Sequence, residues 1–192
     1  MEHVLDVKKL VNELTLEEKA SLCSGADFWH TKAIDRLNIP AAMVSDGPHG
    51  IRKQESLADH MGVAESIKAI GFPTASAMAC SFDRDLLHKV GDALGEECVA
   101  EDLAVLLGPG INMKRSPICG RNFEYYSEDP VVAGELGAAF VNGVQEHGVG
   151  TSLKHFAANN QEWRRMSISA EIDERTLREI YLAAFETVVK KA

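Results

Sequence analysis

The chain has 192 residues, with 20 lysines and arginines against 29 aspartates and glutamates, so its formal net charge is −9. This acidic balance, without any basic tract, argues against a nucleic-acid partner. No stretch approaches the ~18 consecutive apolar residues of a membrane span, so no membrane partner is expected. The charged N-terminus lacks the apolar core of an export signal, and the four cysteines form no Cys-x-x-Cys motif. Both features favour a cytoplasmic protein with reduced thiols.

The N-terminal part of the chain is predicted to be helical. Residues 4–22 have helical periodicity, and Thr15 with Glu18 has the Thr-x-x-Glu form of a capping box. The apolar run 39–44 then ends at an Asp-Gly-Pro loop, which is typical of a buried parallel strand. A helical lead-in therefore precedes the first strand.

Two further strands are interpreted in the middle of the chain. Residues 72–79 are taken as the second strand, and Asp83 as the N-cap of the helix that follows it. Residues 103–107 predict the third strand. The strand ends at 108–110, Gly-Pro-Gly, because proline has no N–H to donate to a β-ladder.

The C-terminal third repeats the alternation of helix and strand. Asp129 is a predicted N-cap, and the helix that begins with proline at the next position is expected to run to Gly148. Residues 150–156 predict the fourth strand. The last helix is predicted to begin at Asp173.

This alternation predicts an α/β fold, with a parallel sheet and helices packed outside it. A complete (β/α)8 barrel takes about 250 residues, so the length suits about the first four βα units of a TIM-type barrel. No linker or internal repeat divides residues 1–192, which we expect to be one N-terminal portion of a barrel domain. The loop at 53–70 is the part that the sequence pattern defines least.

Polar side chains follow three of these strands, where an α/β barrel keeps its substrate site. Asp46 comes directly after the first strand, although it could equally bond its own backbone in an Asx turn. Arg121, with Glu124 to brace it, lies in a long polar and aromatic loop, where a surface ion pair is the alternative. Lys154 and His155 end the fourth strand and should point to opposite sides unless the backbone is distorted there. For His155 alone, the alternative is a satisfied core histidine.

Four clusters taken together resemble glycoside hydrolase family 3, the β-glucosidases and their relatives. They are Asp46-Gly-Pro-x-Gly-x-Arg52, Gly-Arg121-Asn-Phe-Glu, Lys154-His155-Phe and Asn160-Gln-Glu-x-x-Arg165. The resemblance implies that six residues form the subsite for the terminal glucose of a β-glucoside or oligosaccharide, some by contact and some by bracing the others: Asp46, Arg52, Arg121, Lys154, His155 and Arg165. These side chains are expected to bind the sugar and not to cleave it.

The resemblance also implies retaining hydrolysis, in which one carboxylate attacks the anomeric carbon and another protonates the leaving oxygen. The family's nucleophile is an Asp in a Ser/Thr-Asp-Trp type of motif, which does not occur in this sequence, and its acid/base comes from a following domain. No catalytic residue is therefore assigned here. The seven histidines form no His-x-His or His-Glu-x-x-His pattern, and this chemistry needs no metal, so no metal or cofactor is expected.

Two interpretations of the 192 residues stay open. The first is a glucose-binding part of a β-glucosidase-like hydrolase, inactive by itself and prone to self-association through unpaired strand edges. The second is a non-catalytic sugar-binding or interaction protein derived from half of a hydrolase. The aglycone, the linkage and the choice of glucose over xylose do not follow from these residues.

Overall fold

The structure, a computed structural model, describes residues 6–54 and 65–192. Two short helices open it, α1 at Val7–Glu13 and α2 at Leu16–Leu22. The predicted capping box is confirmed: the Thr15 hydroxyl accepts from the Glu18 backbone N–H, and the Glu18 carboxylate accepts from the Thr15 N–H. This arrangement satisfies two amides that the first helical turn leaves without partners.

Three short strands form one parallel sheet in the order β1-β2-β3: Val44–Asp46, Val105–Leu107 and Gly150–Thr151. Val105 pairs with Val44 on one side and with Gly150 on the other. Parallel strands thus occur near three of the four predicted positions. The strands β2 and β3 are shorter than predicted, and β1 shares only Val44 with the predicted run 39–44 because it continues to Asp46. All three strands have their carboxyl ends at the same edge of the sheet.

The predicted strand at 72–79 is wrong, because this segment forms helix α3, Ala75–Ala79. The Thr74 hydroxyl caps the helix by accepting from the Ala77 N–H at 3.3 Å. Alanine and methionine, which make up four of the five residues of α3, favour helix over strand. Residue propensity and the N-cap hydroxyl therefore both favour the helix.

The predicted fourth strand ends early, after Thr151. Backbone pairing continues irregularly beyond it: Ser152 N–H donates to the Leu106 carbonyl at 2.9 Å, Lys154 N–H donates to the Pro109 carbonyl at 3.1 Å, and Ile111 N–H donates to the Lys154 carbonyl at 2.8 Å. The Lys154–His155 peptide bond is cis. The segment 152–157 is therefore an irregular continuation of β3 that lies along residues 109–112.

Long helices cover the sheet. They are α4, Arg84–Ala100, capped by Asp83 as predicted, and α5, Pro130–Gln145, capped by Asp129. Glycines allow their backbones to approach closely, since a Cβ at Gly91 would lie 2.2 Å from the Phe140 carbonyl oxygen. The helix α5 ends three residues before the predicted Gly148, which has φ of +74°.

The chain then closes with an almost continuous helix capped by Asp173, as predicted. It comprises α6, Glu174–Thr176, a π-helical turn, Leu177–Tyr181, and α7, Leu182–Lys191. Leu87, Leu106 and Phe140 are fully buried between the sheet and the long helices. Of the loop at 53–70, residues 55–64 lie outside the described residues. Among the helices that the structure describes, none is both long and apolar enough to cross a membrane.

Candidate substrate-binding site

The carboxyl edge of the sheet brings Asp46 and Lys154 into direct contact. Asp46 is the last residue of β1, and Lys154 follows β3 at a distance of 108 positions along the chain. The Lys154 ammonium donates to Asp46 Oδ1 at 2.6 Å. The lysine side chain is 14% exposed and that of Asp46 is 33% exposed, so the pair is partly shielded from solvent.

A second ion pair, Arg121 with Glu124, lies beside the first. A turn of 3-10 helix, Asn122–Glu124, folds the loop so that Arg121 Nε donates to Glu124 Oε1. The other carboxylate oxygen of Glu124 is 3.8 Å from the Lys154 ammonium. Glu124 is 7% exposed. Its carboxylate therefore joins the two cations into one buried network, and the surface ion pair considered from the sequence is excluded.

His155 joins the same network through its ring. Arg121 donates from an NH2 nitrogen to His155 Nε2 at 2.7 Å. Because a guanidinium has only donors, Nε2 must be unprotonated and the ring proton must lie on Nδ1. Burial, then the positive charges of Arg121 and Lys154, lowers the pKa of His155 to about 4, so the ring is neutral at neutral pH.

Burial alone would raise the pKa of Asp46, but the charges of Lys154 and Arg52 outweigh it and the net direction is downward. A carboxylate that stays ionised is suited to accept hydrogen bonds from sugar hydroxyls. It is unsuited to be a general acid, which must carry a proton near neutral pH.

Arg52 and Arg165 lie at the periphery of the network. Arg52 is 3.9 Å from Asp46 Oδ2, with its side chain 53% exposed. Arg165 donates to Glu162 Oε2 at 3.3 Å and is 54% exposed. Glu162 Oε1 is 3.8 Å from Arg121, so Arg165 is connected to the network through that carboxylate.

A cavity of about 710 Å³ opens next to these residues. Arg121, His155 and Arg165 line it, together with Asn160, whose buried Oδ1 atom has no hydrogen-bond partner. The other three predicted contacts, Asp46, Arg52 and Lys154, are not part of its wall. The structure thus joins all six residues into one neighbourhood, with half of them facing the cavity.

Several residues of the site were not singled out from the sequence. Tyr125 OH lies 3.1 Å from His155 Nδ1 and accepts from Asn159 Nδ2 at 2.9 Å. Asn112 contacts the backbone around His155, and His49 Nε2 accepts from the Ala75 N–H at 2.9 Å. Tyr125 belongs to the polar, aromatic loop that the sequence analysis noted. Nothing in the sequence pattern marks Asn112.

Across 6–54 and 65–192, no group of three or more His, Cys, Asp or Glu side chains is arranged to hold a metal ion. The site consists instead of ion pairs that alternate in sign around a neutral imidazole. Such an array presents fixed donors and acceptors to neighbouring hydroxyl groups.

Comparison with known proteins identifies the family. Residues 11–192 match the glycosyl hydrolase family 3 N-terminal domain, a range that includes the whole site. The chain belongs to glycosyl hydrolase family 3.

Curated members of family 3 are similar over almost the whole chain. Thermostable beta-glucosidase B of Acetivibrio thermocellus is 60% identical over 188 residues, which make up 98% of this chain and 25% of that protein. An exo-alpha-(1->6)-L-arabinopyranosidase of Bifidobacterium longum is 54% identical over 95% of this chain and 24% of its own length. The chain therefore spans about a quarter of the length of these relatives.

Solved structures of the family agree with the fold. A beta-glucosidase from Bifidobacterium adolescentis superimposes with a TM-score of 0.85 at 53% identity, covering 95% of this chain and 25% of that one. A beta-glucosidase from Kluyveromyces marxianus in complex with glucose gives a TM-score of 0.89 at 45% identity, covering 98% and 22% of the two chains.

Proposed function

We propose that this family 3 chain binds the terminal non-reducing glucosyl residue of a β-glucoside for retaining hydrolysis. The observation that carries the proposal is the ion-pair network of Asp46, Lys154, Glu124 and Arg121, with neutral His155 beside it. A pyranose presents adjacent hydroxyls that each donate and accept, and paired charges at a rigid sheet edge match that pattern. The six residues predicted from the sequence are the proposed sugar contacts.

We further infer that residues 1–192 form the first βα units of a barrel domain and that they supply binding groups only. Retaining hydrolysis needs two carboxyl groups about 5–5.5 Å apart, one ionised to attack and one protonated. Asp46, Glu124 and Glu162 are each paired with a cation, which opposes both tasks. We place the nucleophile and the acid in parts of family members that this chain does not span.

The central test uses a protein that contains both these binding residues and the nucleophilic carboxylate of the family. Asp46→Ala should lower kcat/KM for an aryl β-glucoside by several orders of magnitude, because hydrogen bonds to a charged group that tighten in the transition state supply several kcal/mol. Asp92→Ala is the matched control, since Asp92 pairs with His147 on the helical surface. A value for Asp46→Ala within about tenfold of wild type would contradict the assignment.

Specificity needs a panel of substrates, because one relative is a β-glucosidase and another an arabinopyranosidase. Aryl β-glucoside, β-xyloside and α-L-arabinopyranoside should be compared by kcat/KM in the same protein. We expect the glucoside to be preferred. Preference for the arabinopyranoside would keep the family and change the substrate.

The second candidate is a non-catalytic sugar-binding protein, favoured by the pairing of each carboxylate in the site. Sequence beyond Ala192 separates the two candidates. A Ser/Thr-Asp-Trp motif there supports the hydrolase, whereas a stop codon with good expression of the short form supports the binding protein. The 192-residue chain by itself should show no turnover and should self-associate, which light scattering after size-exclusion chromatography would detect.

A further inference from the structure

Asn112 is buried, with 1% of its surface exposed, and lies five residues after β2. Its Oδ1 atom accepts from the His155 backbone N–H at 2.7 Å. Its Nδ2 atom donates to the His155 carbonyl at 2.9 Å and to the Ala157 carbonyl at 3.1 Å. One side chain thus binds both sides of the His155 main chain and the main chain two residues further on.

The Asn112 side chain provides hydrogen bonds to the segment after Lys154, where backbone-to-backbone pairing ends. Lys154 exchanges backbone hydrogen bonds with Pro109 and Ile111. Beyond that point the Asn112 amide provides the partners for both main-chain groups of His155 and for the Ala157 carbonyl. A shielded N–H or carbonyl without a partner is unfavourable, so these bonds favour the observed conformation of the segment.

The orientation of the Asn112 amide is fixed by its surroundings. In the opposite orientation its NH2 group would face the His155 N–H, and its oxygen would face two carbonyl oxygens. The observed orientation also leaves Oδ1 at 3.3 Å from His155 Nδ1. An oxygen there favours a proton on Nδ1, the same tautomer that Arg121 requires at Nε2.

We propose that Asn112 is a positioning residue of the sugar site, which holds residues 155–157 and the His155 ring in place for substrate. The kinetic consequence of this proposal rests on the proposed function. The three hydrogen bonds from Asn112 to His155 and Ala157, called the clamp below, are a property of the chain itself. Asn112 is 1% exposed and its amide atoms bind the main chain of His155 and Ala157, so it acts through His155 and does not contact the sugar.

The first experiment measures amide hydrogen exchange in the protein that carries the nucleophile, by mass spectrometry with fragmentation that resolves single amides. In Asn112→Ala the His155 amide should exchange at least about tenfold faster, because its acceptor is gone. The Ser152 amide, which donates to the Leu106 carbonyl at 2.9 Å, should keep its protection. Val144→Ala, a buried truncation between α4 and α5, is the control for general destabilisation and should affect the two amides alike. Unchanged exchange at His155 in Asn112→Ala would overturn the clamp.

The second experiment measures kinetics in the protein that carries the nucleophile. Asn112→Ala should lower kcat/KM about 100-fold, mainly through kcat, since misplacement of a site group by about 1 Å has that effect. Asn112→Asp keeps the acceptor but turns a carboxylate toward two carbonyl oxygens. Its activity relative to wild type should recover as pH falls from about 7 to about 5, because the protonated acid regains a donor.

Asn142→Asp is the matched control for the second experiment, because it makes the same chemical change on α5, where the amide donates to the Lys191 carbonyl. It should show no such recovery. If Asn112→Ala matches Val144→Ala in kcat/KM within about threefold, the positioning role is overturned even when exchange is faster. If the wild-type protein hydrolyses no glycoside, the proposed function fails, and exchange at His155 alone then decides for or against the clamp.

Discussion

Glu124→Gln is the change that tests the charge network most directly. The substitution keeps the shape of the side chain and removes its charge, so it leaves Arg121 and Lys154 buried with one carboxylate fewer. Both cations have little access to water, with side chains 18% and 14% exposed. Water therefore screens these two cations only weakly, and removing the carboxylate charge should lower the free energy of unfolding.

The expected cost follows from the geometry. Two unit charges separated by 3.8 Å, as Glu124 Oε2 and the Lys154 ammonium are, interact by about 4 kcal/mol at an effective dielectric constant of about 20. The contact with Arg121 adds to this energy, and the cost of desolvating the carboxylate subtracts from it. Breaking a buried ion pair from one side typically costs about 3–5 kcal/mol, so we expect a loss of about 3 kcal/mol in the free energy of unfolding.

Urea unfolding of the wild-type and variant chains measures this quantity. Glu174→Gln is the control, because Glu174 forms an exposed helical pair with Arg178 and the same change there should cost less than about 0.5 kcal/mol. A double-mutant cycle with Arg121→Met should then return a coupling energy of about 2 kcal/mol. A loss below about 1 kcal/mol for Glu124→Gln would refute the argument that this carboxylate stabilises two buried cations.

Three further predictions concern titration and capping. Burial and two neighbouring cations lower the pKa of His155 to about 4, so NMR of ¹⁵N-labelled histidine should show a neutral ring with the proton on Nδ1 down to about pH 5; titration near 6.5 would contradict this. Because that pKa is lower folded than unfolded, its contribution to stability is complete above about pH 6.5 and is lost as pH falls toward 4, which unfolding at several pH values would measure. Arg36→Ala should raise the pKa of Glu18 from about 2 toward its ordinary value, because the hydrogen bond from Arg36 is the largest cause of the lowering. NMR titration of the carboxyl group measures this pKa, and an unchanged value would contradict the prediction. Asp83→Ala should lower the free energy of unfolding by about 1 kcal/mol, because Asp83 Oδ1 accepts from the Asp85 and Leu86 amides at the start of α4. An unchanged free energy in urea unfolding would show that this cap does not stabilise the helix.

The sequence was informative where one local interaction decides the structure. Thr15, Asp83, Asp129 and Asp173 each cap a helix at the predicted position. Apolar runs bounded by glycine or proline located three strands. The same reasoning failed at 72–79, because a short apolar run suits a strand and a helix equally until the hydroxyl of Thr74 is recognised as a cap.

The sequence pattern identified residues that the fold brings close together, but it did not predict how they are arranged. Residues after strand ends converge in a parallel sheet, so the meeting of Asp46 with Lys154 follows from topology. The role of Asn112 does not follow, because its three partners are backbone groups more than 40 positions away and no residue type marks them. A buried amide that binds main chain is recognisable only when both segments have been placed.

The balance of charge in the site favours a neutral ligand. Four cations in or beside the network face three carboxylates, and the lowered pKa of His155 keeps its ring uncharged. The cations are Arg52, Arg121, Lys154 and Arg165, and the carboxylates are Asp46, Glu124 and Glu162. A site for phosphorylated sugar would need a clear excess of cations, because the phosphate must be compensated when it leaves water. Here each cation already has a carboxylate partner. The charges therefore fix the directions of donors and acceptors for uncharged hydroxyls, which suits the unmodified glucoside proposed as the substrate.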